Sequence, residues 1–346
     1  MSRFLVIRAD ADAHMGTGHL MRCLALAQGW KAHGGQATFI TVCESDGLRQ
    51  RLLDEGFQVS TIERSYPHPG DWAITSQALA THSGAWLALD GYHFSPAYQR
   101  QITEAGHRLL VIDDTAHLDR YFADVVLNQN INARRLRYAC EPYTRLLLGT
   151  RYVLLRSEFL AWRGWRREIP TAACKVLVTL GGSDPENQTL KVVRALQQMD
   201  VEGLDAVIVV GASNPHFGEL AAVRDSPFAV RLVRNADNMP ELMAWADVAI
   251  SAGGSTCWEL AFMGLPAVIL TLAENQRGIA TGLDEAGVTV SLGWYTEVSS
   301  LQVASTLMRL FQDRSLRRQM SQRGREVVDG LGTERVIKSL SVQPGE

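Results

Sequence analysis

The feature that most constrains this chain is an alternation of short apolar runs with helical stretches, carried through twice. Residues 4–8, 37–42, 58–62, 86–89, 108–112 and 125–127 are rich in β-branched or large apolar side chains and read as strands. Between the first two, residues 19–33 are apolar around almost the whole helical circumference, which marks a buried helix. The second half repeats the theme, with strands at 175–180, 206–210, 229–233, 247–251, 267–270 and 288–292. Helices are expected at 187–199, 239–246, 255–263 and 275–285, and two more at 299–312 and 314–328 close the chain. Such alternation forces right-handed crossovers and a mainly parallel sheet covered on both faces. The expected fold is α/β, with two Rossmann-like lobes.

A length of 346 residues suits two domains. The boundaries expected are 1–160 for an N-terminal lobe and 172–346 for a C-terminal one, with the last helix free to pack back on the N-terminal lobe. Residues 156–171 (RSEFLAWRGWRREIPT) interrupt the alternation and read as a solvated connector. A net charge of −3 gives no basic footprint for nucleic acid and no polybasic tail for stable membrane association. The apolar run at 4–7 is too short for a signal-peptide core, and no stretch approaches the ~20 apolar residues of a spanning helix. The five cysteines are scattered without a C-x-x-C pair, the pattern of reduced core thiols in a cytoplasmic protein. No metal and no cofactor are expected, and the sequence leaves the oligomeric state open, a monomer included.

Four loops follow apparent strands, where open parallel sheets place their ligands. In the first, residues 8–19 (RADADAHMGTGH), Gly16 and Gly18 open the backbone just before the buried helix. His19 falls in the first helical turn with Arg22 one turn later. Both the helix terminus and that cation favour a neutral imidazole, able to accept a proton at pH 7. Asp10, at the strand end, is placed to orient the ring. The alternative is a glycine turn with a capping histidine. The second loop holds Gly181, Gly182 and Asp184-Pro185-Glu186-Asn187, which suit close backbone approach to a phosphate or plain helix capping.

The third loop, residues 251–259 (SAGGSTCWE), gives the strongest signal. Gly253 and Gly254 expose amides, Ser255 and Thr256 add hydroxyls, and together they suit a diphosphate. Glu259, one turn on, is suited to accept hydrogen bonds from both ribose hydroxyls. In the fourth, Asn275 and Gln276 suit sugar or amide recognition, or capping. No Walker A lysine, dinucleotide G-x-G-x-x-G, G-x-S-x-G elbow or H-E-x-x-H is present.

Taken in order, Arg8-x-Asp10, Gly16-x-Gly18-His19-x-x-Arg22, Asp90-Gly91-Tyr92, Asp113-Asp114, residues 181–185 (GGSDP) and residues 251–259 resemble the PseG family. These are UDP-2,4-diacetamido-2,4,6-trideoxy-β-L-altropyranose hydrolases of pseudaminic acid biosynthesis. The resemblance implies a glycosyltransferase-B architecture similar to MurG, with UDP held mainly by the C-terminal lobe and the cleft between the lobes taking the ligand. It implies hydrolysis of a small-molecule UDP-sugar, with water attacking the anomeric carbon. The family's catalytic histidine falls on His19, its substrate-binding arginine on Arg156 and its ribose-binding glutamate on Glu259, while Tyr92 is similar to a tyrosine near the sugar. A single attack without a covalent intermediate predicts inversion. The alternatives are an inverting UDP-sugar glycosyltransferase and a non-catalytic nucleotide-sugar binding protein.

Overall fold

Two sheets, both wholly parallel, organise the chain in a computed structural model that describes residues 4–12, 15–211, 214–220 and 226–341. The chain divides into two compact units, the first made of residues 1–157 and 330–346 and the second of residues 158–329.

Unit 1 runs β1 (Phe4–Ala9), α1 (Gly18–Ala32), β2 (Gln36–Thr41), α2 (Asp46–Asp54), β3 (Gln58–Thr61) and α3 (Pro69–Ala80), then β4 (Trp86–Asp90), α4 (Pro96–Glu104), β5 (Arg108–Ile112), β6 (Val125–Asn128) and β7 (Arg145–Leu148). Its strand order is β3-β2-β1-β4-β5-β6-β7. The sequence then turns through α5 (Ser157–Leu160) into unit 2. That unit holds β8 (Lys175–Thr179), α6 (Gln188–Gln197), β9 (Asp205–Val210), α7 (Phe217–Leu220), β10 (Ala229–Arg234), α8 (Met239–Trp245), β11 (Val248–Ala252), α9 (Thr256–Phe262), β12 (Ala267–Thr271), α10 (Arg277–Glu285), β13 (Thr289–Trp294), α11 (Ser300–Gln312) and α12 (Arg314–Val327). Its order is β10-β9-β8-β11-β12-β13. A last helix, α13 (Gly332–Ser341), completes the chain.

Each sheet reverses direction of growth at one point, between β1 and β4 in unit 1 and between β8 and β11 in unit 2. The loops leaving adjacent strands there diverge to opposite faces and open a crevice at the carboxyl edge. Strand β1 makes the switch possible because Leu5, Val6 and Ile7 are buried on both faces. Arg8 is also fully buried in it, held by Asp10 and by Asp71, whose Oδ2 accepts from Nη2 at 2.6 Å and from Nε at 2.9 Å. Helix α1 is buried nearly all round, from Leu20 to Trp30, as its lack of a polar face requires.

Residues 330–346 group with unit 1, because Val336, Ile337 and Leu340 of α13 join the core that holds α1. Within the 156–171 stretch, where the chain passes from unit 1 to unit 2, only Arg156 and Phe159 are buried. Arg167 donates to the carbonyls of Met243 and Ala246 (both 2.5 Å) and of Met263 (3.3 Å), the open C-terminal ends of α8 and α9. Strand β7 escaped the sequence reading because of its four residues, Arg-Leu-Leu-Leu, only Leu147 is buried at this sheet edge. The five cysteines are free thiols, and burial, with Glu259 nearby, pushes the Cys257 thiol up to about 12. Among the described residues no helix is long and apolar enough to cross a membrane.

The contact that ties α13 into unit 1 depends on a glycine. A Cβ on Gly332 would collide with the backbone of Val153. Gly332→Ala is therefore expected to destabilise the protein by about 1–3 kcal/mol, the range for overpacking. Gly164→Ala, where a Cβ meets nothing within 4 Å, serves as the neutral control. Urea unfolding of the two variants checks this, and equal midpoints would contradict the packing assignment.

Candidate functional site

The unit 1 half of the site is built where β1 and β4 end. Gly16 has φ +76°, a conformation that side chains resist, and its amide closes a turn onto the Asp12 carbonyl at 2.9 Å. Its role is to shape the turn, and its N–H is not offered to a ligand. The chain then enters α1 at Gly18, placing His19 and Arg22 on the helix face that meets the end of β4. There His19 Nδ1 lies 2.6 Å from Asp90 Oδ1.

Asp90 is fully buried, yet it is ionised. Burial raises its proton affinity, but Arg22 and then His19 outweigh that and hold it well below the usual carboxylate range. A carboxylate only accepts, so the 2.6 Å contact requires the proton on Nδ1. In the neutral ring Nε2 is then the acceptor. It takes no partner among the described residues and keeps contact with solvent, although the residue as a whole is only 6% exposed.

Arg22 is the clamp of this arrangement. Its Nε donates to Asp90 Oδ2 and its Nη2 to Asp90 Oδ1, both at 2.6 Å, while Nη1 meets both oxygens of Asp114 at 2.8 Å. Burial alone would lower its proton affinity. The charges of Asp114 and Asp90 reverse this and hold the guanidinium well above its ordinary value. The Nη2 to His19 Nδ1 approach of 3.1 Å follows from both donors serving the same Asp90 oxygen. Tyr92 completes the group: its hydroxyl donates to Asp114 Oδ2 at 2.8 Å, and its ring meets the His19 ring edge-on at 5.0 Å. Asn130 Nδ2 supplies Asp114 with a further donor at 2.9 Å.

The orienting role expected of Asp10 therefore falls to Asp90. Asp10 is occupied elsewhere, accepting from Arg8, from Ser65 Oγ at 2.6 Å and from the Val42 amide at 2.6 Å. Its place in the chain, two residues after Arg8 on the same strand edge, lets it neutralise that buried cation. Asp90 and Asp114 carry a signal that the sequence offered, since each ends an apolar run with a carboxylate at the carboxyl edge of a parallel sheet. What it could not show is which of three such aspartates reaches α1. Arg156 is buried at the end of unit 1, two residues before unit 2 begins.

In unit 2 the loop after β11 leads from Ala252 into α9. A Cβ on Gly253 would come within 3.0–3.1 Å of Gln276, so glycine permits the close passage of that loop. Gly254 has open space beside it. Among the described residues the amides of Gly254, Ser255 and Thr256 make no hydrogen bond to the protein, and the Ser255 side chain makes no capping bond. Glu259 lies half-buried one turn into α9.

The neighbouring loops are more structural. Gly181 is open with φ +91°, but Gly182 packs its backbone against Gly211 of the loop after β9, where a side chain would not fit. Asp184 caps α6, accepting from the Gln188 and Thr189 amides (both 2.8 Å) and from Thr189 Oγ1 at 2.6 Å. Gln276 Oε1 accepts from the Leu272 amide at 2.9 Å, so this oxygen holds its own loop. Asn275 stands exposed in the same turn. Among the described residues no group of three or more His, Cys, Asp or Glu is placed to hold a metal ion.

Two doubly wound parallel-sheet units, each with its loops diverging at the switch point, define the glycosyltransferase-B fold. Residues 176–331 match the glycosyltransferase family 28 C-terminal domain. The whole chain is similar to the spore coat polysaccharide biosynthesis protein SpsG of Bacillus subtilis (strain 168), 26% identical over 336 residues and covering 96% of each. It is also similar to the UDP-2,4-diacetamido-2,4,6-trideoxy-beta-L-altropyranose hydrolase of Campylobacter jejuni, 23% identical over 296 residues, covering 83% of this chain and 98% of that one. Among solved structures, MurG of Acinetobacter baumannii superposes with a TM-score of 0.66 at 16% identity, covering 98% of this chain and 99% of that one.

The Asp90 assignment has two measurable consequences. The neutral His19 ring is expected to carry its proton on Nδ1, and Asp90→Asn to shift it toward Nε2; nitrogen NMR of the imidazole checks this, and an Nε2–H ring in the unaltered protein would refute it. Because the folded-state pKa of Asp90 is depressed, its contribution to stability is present above the unfolded value of about 3.9 and is lost as pH falls below it. Asp90→Asn should cost about 3–5 kcal/mol near neutrality, since it withdraws a carboxylate from a buried cation, and should flatten the acid limb of the stability curve.

Proposed function

We propose that the protein hydrolyses a UDP-linked 2,4-diacetamido-2,4,6-trideoxy hexose to free sugar and UDP, in pseudaminic acid biosynthesis. The observation that carries this reading is the polarised imidazole of His19: Nδ1 is held by an ionised, buried carboxylate, and Nε2 is left open to solvent. An inverting hydrolysis needs one such base. Water attacks the anomeric carbon as Nε2 takes its proton, the bond from that carbon to the diphosphate oxygen breaks, and the electron pair leaves with UDP. A positioned base contributes roughly 10²–10⁴-fold to such a step. The carboxylate also stabilises the imidazolium that forms.

The leaving group needs charge stabilisation, which preorganised backbone donors supply without reorganisation. The uncommitted amides of Gly254, Ser255 and Thr256 in unit 2 are suited to the diphosphate, and Glu259 to the ribose. Arg156 and Tyr92 are assigned to the sugar side on the strength of the family resemblance. The hydrolase from Campylobacter jejuni, aligned over 98% of its length, supports the substrate class.

A second reading, an inverting UDP-sugar glycosyltransferase, is favoured by the match of residues 176–331 to a glycosyltransferase domain. The same base would then deprotonate an acceptor hydroxyl in place of water. The two part on one measurement, release of UDP from the UDP-diacetamido sugar with no acceptor present. Steady release with an inverted sugar anomer by proton NMR is expected, whereas UDP release only on adding an acceptor would select the transferase. His19→Asn is expected to lower kcat at least roughly 10²-fold while leaving UDP affinity unchanged. A nucleotide-sugar binding protein without catalysis would show no turnover in either protein. Glu259→Ala should weaken UDP binding by about 1–3 kcal/mol in calorimetry, and unchanged affinity would remove it from the ribose site.

A further inference from the structure

Unit 2 carries a second polar cavity, of about 1160 Å³, at the edge of its sheet opposite the glycine loops. Lys175 begins β8 and Asp247 immediately precedes β11, so the cavity borders the amino ends of the strands. At about 3.3 Å per residue, the loops that follow those strands lie roughly 15–20 Å away. Seven cationic side chains line it, six of them arginines, against four carboxylates, in a chain whose net charge is −3.

Part of this charge serves the fold. Helix C-termini gather at the amino edge of a parallel sheet, and Arg167 satisfies their carbonyls. Arg314 does the same for the Ile169 carbonyl at 3.0 Å. Arg166 and Arg318 are different. Both are exposed at the cavity, and neither makes an ion pair with a carboxylate among the described residues. Arg325 is the sharper case. Its Nη1 is buried with no partner, while Nη2 reaches only the Arg163 carbonyl at 3.3 Å. Burial and then the neighbouring charge of Arg166 lower its proton affinity. Asp247, which also lines the cavity, already accepts from the Cys174 and Lys175 amides, both at 3.0 Å. A guanidinium nitrogen withdrawn from water without an acceptor is costly, and a second cation beside it adds repulsion that helix capping does not require.

We propose that this cavity binds a small multivalent phosphate, such as a diphosphate or a doubly phosphorylated ester, between Arg166, Arg318 and Arg325. The predominance of arginine over lysine fits planar, bidentate recognition of phosphate oxygens. The open cavity fits a small molecule or a lipid headgroup, and the acidic chain as a whole offers no extended basic face for nucleic acid. This inference stands apart from the proposed hydrolysis, whose groups lie at the carboxyl edges of the sheets.

The test is titration calorimetry of the full chain with inorganic pyrophosphate, at physiological ionic strength and with UDP present in excess. Binding that survives UDP, and that the Arg166→Ala/Arg318→Ala double variant weakens at least roughly tenfold, is expected. Both substitutions fall on exposed side chains, so the thermal midpoint without ligand should not move. Sedimentation with phosphatidylglycerol vesicles, against phosphatidylcholine vesicles, separates the sources: retention that pyrophosphate competes away assigns a lipid headgroup, and pyrophosphate binding without retention assigns a soluble ligand. No binding in either arm, full competition by UDP, or an unchanged affinity in the double variant would overturn the proposal.

Discussion

The structure around the candidate base turns on one buried cation. Arg22, from the second turn of α1, reaches the carboxylates that end β4 and follow β5, and four short hydrogen bonds to Asp90 and Asp114 hold it there. A guanidinium without water is tolerable only when its donors are met by ionised acceptors. That requirement sets the register of α1 over the sheet, keeps Asp90 ionised and so decides which nitrogen of His19 carries the proton. Tyr92 is drawn into the same system through Asp114. A second buried cation, Arg8 with Asp10 and Asp71, does comparable work one layer deeper, linking β1 to α3.

Unit 2 solves its problem with backbone instead of side chains. Gly253 lets the loop containing Gln276 pass closely, Gly182 and Gly211 let two strand-end loops touch, and Asp184 is consumed in capping. What remains uncommitted is the short run of amides at Gly254, Ser255 and Thr256. The two units thus divide the chemistry proposed here: a titratable group on one, and neutral donors suited to a charged leaving group on the other. The amino edge of the unit 2 sheet has the reverse character, arginine-rich and only partly satisfied by helix ends.

Much of the fold was legible in the chain, because both sheets are buried on both faces and their strands therefore stand out as continuous apolar runs. The loop after β11 was legible for a related reason, two glycines and two hydroxyls between a strand and a helix having few structural uses. The partner of His19 was not. Asp10, Asp90 and Asp114 all sit at strand ends, and proximity along the chain favoured Asp10, nine residues before His19, over Asp90, 71 residues after it. Strand β7 and the capping role of Arg167 were hidden too, since their local composition is basic or weakly apolar and the partners of Arg167 are distant carbonyls.

The sequence by itself determined that there are two parallel sheets, where their strands lie and which loops can carry chemistry, because hydrophobic periodicity and glycine placement are local properties. Only the tertiary structure decided which aspartate meets His19, that α13 returns to the unit holding α1, and that Arg167 closes helix ends in place of facing water. Those outcomes rest on satisfying buried charges and unpaired carbonyls. Such groups find their partners through the packing of elements far apart in the chain, and no local pattern encodes that choice.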